Sequence, residues 1–276
     1  GYLLRIYLSR ALTLYEYGLF FSVFTLVSLF TAIREFGFGS SLIKYIPEWS
    51  LTGKKKRIWS AILHVIKIEI IIGLALFLIF FIFSDSIAIE YFHDASSAEL
   101  VRITSFLFLI TVFSSVLNSA LQGLQKIKTF SISILVNNIA QFVFAAAFVS
   151  IGIVGLAYGY VAAAIFVSLI VFFMFSNSFK HKLGVYNFDG ASKRKLMYFA
   201  LPVFLTSFGG ILLGYTDTIV LTYFVGPEAV GVYQAVLPTS QMLWAFAMSI
   251  GVVLFPLTAE LWVSNRKILE EGKEEE

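Results

Sequence analysis

Cysteine is absent from all 276 residues, which excludes disulfides, thiolate nucleophiles and cysteine-ligated zinc or iron–sulfur centres. Charge is scarce too. Asp, Glu, Lys and Arg make up 13% of the chain, against about 25% in an ordinary soluble domain. Histidine occurs three times, and no glycine-rich loop ends in Gly-Lys-Ser or Gly-Lys-Thr, so a histidine-built metal centre and direct ATP hydrolysis both lack machinery. The N-terminus also lacks the basic start, short apolar core and small-residue cleavage site of a signal peptide. What the chain has is apolar surface: 59% hydrophobic residues and a mean hydropathy of +0.87. This is the composition of an integral membrane protein. The net charge of +3 is no sign of nucleic-acid binding, because the basic residues sit in short connections between apolar runs.

A spanning helix needs about 20 mostly apolar residues. Seven complete spans satisfy that rule, near Tyr17 to Arg34, Ile58 to Phe83, Leu100 to Gln122, Phe130 to Ile151, Leu156 to Ser176, Leu196 to Tyr223 and Ala229 to Pro256. Residues Gly1 to Leu8 read as the tail of an eighth. Runs of this length without strict alternation are helices rather than barrel strands, so the expected class is all-α. Alternate connections differ sharply in charge. One set carries fifteen basic residues, in "KYIPEWSLTGKKKR", "QKIK", "SFKHKLGVYNFDGASKRK" and the tail; the other set carries Arg10 and Arg102. The basic set is expected on the cytoplasmic side of the cell membrane.

Shifting the chain by 213 residues lays "GYLLRIYL" on "GYTDTIVL" and "GLFFSV" at Gly18 on "GVYQAV" at Gly231. Two unrelated apolar hairpins would give some such matches by chance. The shared register, an external turn followed by Gly-apolar-aromatic, favours a repeat. Six spans lie between the copies, so the repeats are parallel, related by an axis along the membrane normal. The repeat predicts an N-terminal lobe over residues 1–195, lacking half of its first helix, and the start of a C-terminal lobe over residues 196–276. On this reading the chain is a fragment, truncated at both ends.

The stretches "YEYGLFFSVFTLVSLFTAIREFGFGSSLIKYIPEW", "LNSALQGLQKIKTFSISILVNNIAQFV", "YFALPVFLTS" and "DTIVLTYFVGPEAVGVYQAV" resemble the polysaccharide biosynthesis proteins. These are the Wzx-type oligosaccharide flippases of the multidrug/oligosaccharidyl-lipid/polysaccharide (MOP) exporter superfamily. The resemblance runs along the whole chain. It implies a MATE-like, two-lobe helical transporter that flips a lipid-linked saccharide of the polyprenyl-pyrophosphate type to the outer leaflet by alternating access. It implies no enzymatic activity and no cofactor.

Charged residues at membrane depth are costly and tend to face a bundle interior or an aqueous cavity. Arg5, Arg34, Lys67 and Asp217 qualify. Arg34 either lines a cavity or, at the end of its span, snorkels or pairs with its neighbour Glu35, and Lys67 either faces a cavity or snorkels. Glu69 is expected to point elsewhere than Lys67 on their shared helix, and a lysine of a neighbouring span is one partner for it. Asp217 shares a helical face with Gly210 and Gly214, a small-xxx-small pair that invites close helix approach. The repeat aligns Arg5 with Thr218, next to Asp217, so these two charges either pair between lobes or act as separate ligands. Asn118, Gln122, Asn137, Asn138 and Gln141 either bond sugar hydroxyls or join helices. Pro202, Pro238 and Pro256 are expected kinks and hinge candidates. The external "EYFHDASSAE" gathers Glu90, His93, Asp94 and Glu99; an ordinary wet loop is favoured over a metal site there. Two competing functions remain, a cation-coupled multidrug exporter of the same fold and a membrane-embedded enzyme or scaffold of polysaccharide assembly.

Overall fold

The computed structural model describes residues 2–53, 55–178 and 190–243, and all regular structure among them is helical. The first helix, α1 (Tyr2–Ala11), meets α2 (Leu14–Glu35) at a capping box. Thr13 Oγ1 accepts the backbone N–H of Glu16 at 3.2 Å, and the Glu16 carboxylate accepts the N–H of Thr13 at 2.9 Å. Two donors that a helix start leaves without partners are thereby satisfied. α2 ends where Phe36 and Gly37 both adopt left-handed conformations, with φ of 42° and 73°.

The segment that follows departs from expectation. Much of the stretch expected as a connection belongs to a helix, α3 (Phe38–Leu51). Its apolar residues Phe38, Leu42, Tyr45, Ile46 and Trp49 recur every three or four positions and are all buried, the mark of an amphipathic helix. At 14 residues it is too short to cross a bilayer. A search for long apolar runs passes over such a helix.

The chain continues through α4 (Lys55–Ile82), α5 (Ser84–Glu90), α6 (Ser97–Ser105), α7 (Leu107–Gly123), α8 (Ile127–Phe148), α9 (Ile153–Ser178) and α10 (Gly190–Phe224). The expected external loop therefore holds α5, and the span expected from Leu100 is divided between α6 and α7 at Phe106. Among the described residues, six helical stretches are long and apolar enough to cross a membrane. The seventh expected span is helical over residues 227–243; its remainder, with Pro256 and the basic tail, lies outside the described residues. α10 runs unbroken through Pro202.

By packing, the chain divides into two compact units, Gly1–Val232 and Tyr233–Glu276. The described residues of the second unit, 233–243, form helix that includes Pro238. Within the first unit two apolar clusters fill the bundle. One gathers α3, α4, α7 and α9 around Leu42, Ile62, Leu121 and Val171; the other gathers α1, α2, α6 and α9 around Leu8, Phe20, Leu100 and Leu156.

The register of the 213-residue repeat reappears as a contact. A methyl group added to Gly18 would lie 1.8 Å from the carbonyl oxygen of Pro227, and one added to Gly231 would lie 2.4 Å from the carbonyl oxygen of Leu14. Leu14 and Gly18 become Pro227 and Gly231 under the same shift. The contact is thus reciprocal, as when two equivalent patches meet about a two-fold axis. Only glycine lets the backbones come this close.

α10 is fastened near both ends. Ser41 Oγ donates to the carbonyl of Leu196 at 3.1 Å, and Lys195 pairs with Glu48 at 2.7 Å. Toward its other end, Thr222 bonds Ser22 at 3.0 Å and the Tyr91 hydroxyl donates to the carbonyl of Ile219 at 3.0 Å. Between these anchors, no described residue comes within 4 Å of a methyl group added at Gly209, Gly210 or Gly214.

Candidate functional site

A cavity of about 340 Å³ lies among α2, α7, α8, α9 and α10, at the lower end of the range for ligand pockets, about 300–1,000 Å³. α2 presents Ser28, Thr31 and Glu35 to it, one helical turn or two apart and therefore on one face. Facing helices add Thr111 and Ser114 from α7, Asn137 and Gln141 from α8, Tyr160 from α9 and Tyr215 from α10. Among the described residues of that lining, Glu35 is the one that carries a charge. The walls offer hydroxyls, carboxamides and aromatic rings, which can bond or stack against a hydroxyl-rich ligand.

Behind the α2 wall sits Arg34, which is completely buried. Its Nη1 donates to the carbonyl of Phe108 at 2.7 Å and to Thr111 Oγ1 at 3.0 Å, and Nη2 reaches Ser115 Oγ at 3.4 Å. Two carboxylates flank it, Glu69 at 3.5 Å and Glu35 at 3.8 Å. The room is made by Gly73, whose missing side chain lets α4 approach the Phe108 carbonyl. Arg34 therefore neither snorkels nor faces the cavity in this conformation; it joins α2 to α7. Its partnership with Glu69 was not anticipated from the sequence, where a lysine was the partner considered.

The remaining candidates occupy varied places. Arg5 lies over the ring of Phe21, 4.8 Å from its centroid, and is an electrostatic neighbour of Tyr17 and of the cavity residue Tyr160. Lys67 and Asp217 are exposed. Asn118 accepts a hydrogen bond from Ser133 Oγ at 2.5 Å, joining α7 to α8. Asn138 is exposed and donates to the carbonyl of Ile134 in its own helix at 3.1 Å; Gln122 is half-buried near the end of α7. Asn137 and Gln141 line the cavity. The sequence alone does not distinguish Thr31, Thr111, Ser114, Tyr160 and Tyr215, because small hydroxyls and tyrosines are common in membrane helices. Their spacing on α2 and α7 was the available signal.

In the loop after α5, Asp94 accepts hydrogen bonds from the Tyr15 hydroxyl at 2.5 Å and from the N–H and hydroxyl of Ser96 at 2.8 and 2.7 Å. Partial burial alone would raise its carboxyl, but these hydrogen bonds prevail and hold it below the usual aspartate range. Among the described residues no group of three or more His, Cys, Asp or Glu is placed to hold a metal ion.

The family of polysaccharide biosynthesis proteins matches residues 1–262. The chain belongs to this family. An uncharacterized membrane protein, MJ1068 of Methanocaldococcus jannaschii, is 28% identical over a 291-residue alignment that covers 99% of this chain and 57% of that protein. The chain thus spans a little over half the length of this relative. A multidrug resistance MATE family transporter of the MOP superfamily, solved in an inward-facing conformation, superposes with a TM-score of 0.67 at 16% identity, over 88% of this chain and 62% of its own. At that identity the likeness establishes the fold. In this polysaccharide biosynthesis protein, then, a MATE-like helical bundle surrounds a cavity lined by hydroxyl and carboxamide groups.

Proposed function

We propose that this protein flips a lipid-linked oligosaccharide from the cytoplasmic to the outer leaflet of the cell membrane by alternating access. The observation that carries this reading is the cavity lining, in which Asn137, Gln141, Thr31, Thr111 and Ser114 offer neutral hydrogen-bonding groups beside Phe24, Tyr160 and Tyr215. Neutral donors and acceptors with aromatic faces suit sugar rings, whereas a phosphate requires cations. Arg5, close to Tyr160, is the basic residue assigned here to the pyrophosphate of a polyprenyl carrier, with Asp217 and Lys67 bearing on the path from the other lobe and from the cytoplasmic side. The lobes divide near Leu196, as the repeat implies, and Pro202 and Pro238 serve as hinges between conformations. A lone Glu35 in the cavity supports a second reading, a cation-coupled exporter of cationic drugs.

Both readings meet one experiment. In cells that depend on this protein for surface polysaccharide, Asn137→Leu with Gln141→Leu should abolish polysaccharide output while leaving membrane insertion intact. Glu35→Gln should leave output largely unchanged under the flippase reading. Intact output from the double variant, together with lost drug resistance in Glu35→Gln, would favour the exporter.

A further inference from the structure

A second cleft, of about 540 Å³, lies where α4, α6 and α9 meet, at the end of the bundle that carries α5. It shares no lining residue with the cavity described above. Neither α2 nor the segment after α10, which meet in the reciprocal glycine contact, contributes to it. The lining is charged at one end and apolar at the other. Glu99 and Arg102 stand one turn apart on α6, on one face of the helix. Phe106 follows another turn along, where α6 leads into α7, and Ile103, Phe81 and Val161 add further apolar surface. The ring of Tyr158 is half exposed beside them. An amphiphile aligned with the bundle meets this order of groups in its own order, head group first and chain after.

The charges select among head groups. Arg102 is held by two neighbours: its Nε donates to Ser84 Oγ at 2.7 Å and its Nη2 to Asp85 Oδ2 at 2.5 Å. Those bonds use two of the five N–H groups of a guanidinium, and the side chain is still 43% exposed. Glu99 is exposed, and among the described residues no cation pairs with it. Arg102, Asp85 and Glu99 together leave an excess of negative charge, which opposes an anionic head group. A zwitterion satisfies both signs. In phosphatidylethanolamine an ethylene link joins phosphate and ammonium, a short span that suits side chains whose Cβ atoms lie about 5–6 Å apart on neighbouring turns.

We propose that this cleft is a binding site for a zwitterionic phospholipid of the bilayer. Its phosphate accepts hydrogen bonds from Arg102 and the Tyr158 hydroxyl, its ammonium donates to Glu99, and an acyl chain packs along Ile103, Phe106 and Val161. Asp85 and Ser84 act as positioning residues for the guanidinium. A lipid seated there joins α4, α6 and α9 on the outside of the bundle. The site is independent of the flippase reading, because its occupant is a resident lipid rather than cargo.

The test is native mass spectrometry of the whole chain, delipidated in detergent and titrated in parallel with dioleoyl phosphatidylethanolamine and dioleoyl phosphatidylglycerol. The wild type should retain the ethanolamine lipid in preference. Glu99→Gln should weaken that binding about tenfold, the effect of losing one charge-assisted hydrogen bond, and Glu99→Lys should reverse the preference. Glu90→Gln, exposed on α5 and off the lining, should change neither. Arg102→Gln should weaken both lipids; since Arg102 also ties α6 to α5, thermal unfolding checks its fold, and where it fails to fold the Glu99 variants decide. Equal retention of the two lipids by the wild type, or an unchanged preference in Glu99→Gln, would mean an unselective lipid annulus and overturn the site. A dimer that excludes lipid would overturn it as well, by giving the cleft to a second copy of the chain.

Discussion

Arg34 donates to a backbone carbonyl and two hydroxyls of α7 while lying between Glu35 and Glu69. Removing its head group leaves the Phe108 carbonyl without that donor, so Arg34→Ala should cost about 1–3 kcal/mol of stability, the range for an unsatisfied buried polar group. Arg34→Lys should not restore it, because one ammonium nitrogen cannot reach all three oxygens in the guanidinium's fixed fork. Thermal unfolding of both variants in nanodiscs checks this; wild-type stability in the lysine variant would refute the three-point attachment. From the sequence, the depth of Arg34, Lys67 and Glu69 was readable. So was the divergence of Glu69 from Lys67 on their shared helix, which the structure shows as a buried Glu69 and an exposed Lys67; that Glu69 meets Arg34 was not, and the packing of α2 against α4 decides it.

At the scale of elements, glycine placement governs which helices touch. Gly18 and Gly231 sit where a methyl would strike the backbone of the opposing segment, at 1.8 and 2.4 Å, while no described residue lies within 4 Å of a methyl added at Gly209. Gly18→Ala should therefore destabilise the protein by about 1–3 kcal/mol, as overpacking does. Gly209→Ala should be neutral, or stabilising by up to about 1 kcal/mol through helix propensity. Denaturation midpoints of the two variants give the comparison, and equal midpoints would disprove the close contact. The repeat that aligned Gly18 with Gly231 was visible in the sequence; that the two copies meet at those residues was not. α3 shows the opposite case. Its periodic apolar residues were present in the sequence, but a criterion built on 20-residue runs does not register 14 residues of amphipathic helix.

For the whole molecule, the basic connections predict which side of the membrane each end of the bundle faces. The chain contains no cysteine, so single cysteines can be introduced without background. Lys126→Cys, exposed between α7 and α8, should react with an impermeant thiol reagent only from the cytoplasmic side. Ala95→Cys, exposed between α5 and α6, should react only from the outside. The reverse pattern would invert the orientation.

The sequence alone determined the all-helical class, the order of the six apolar spans that the described residues contain and the family, because hydrocarbon thickness and backbone hydrogen bonding leave a long apolar run few alternatives. Those constraints act along the chain and can be read along it. Tertiary structure decided which polar groups share a space: Asn137 and Gln141 with Thr31 and Thr111 in the cavity, and Arg34 with Glu69 behind its wall. Each depends on the rotation of one helix against another, which is fixed by side-chain packing between segments far apart in sequence.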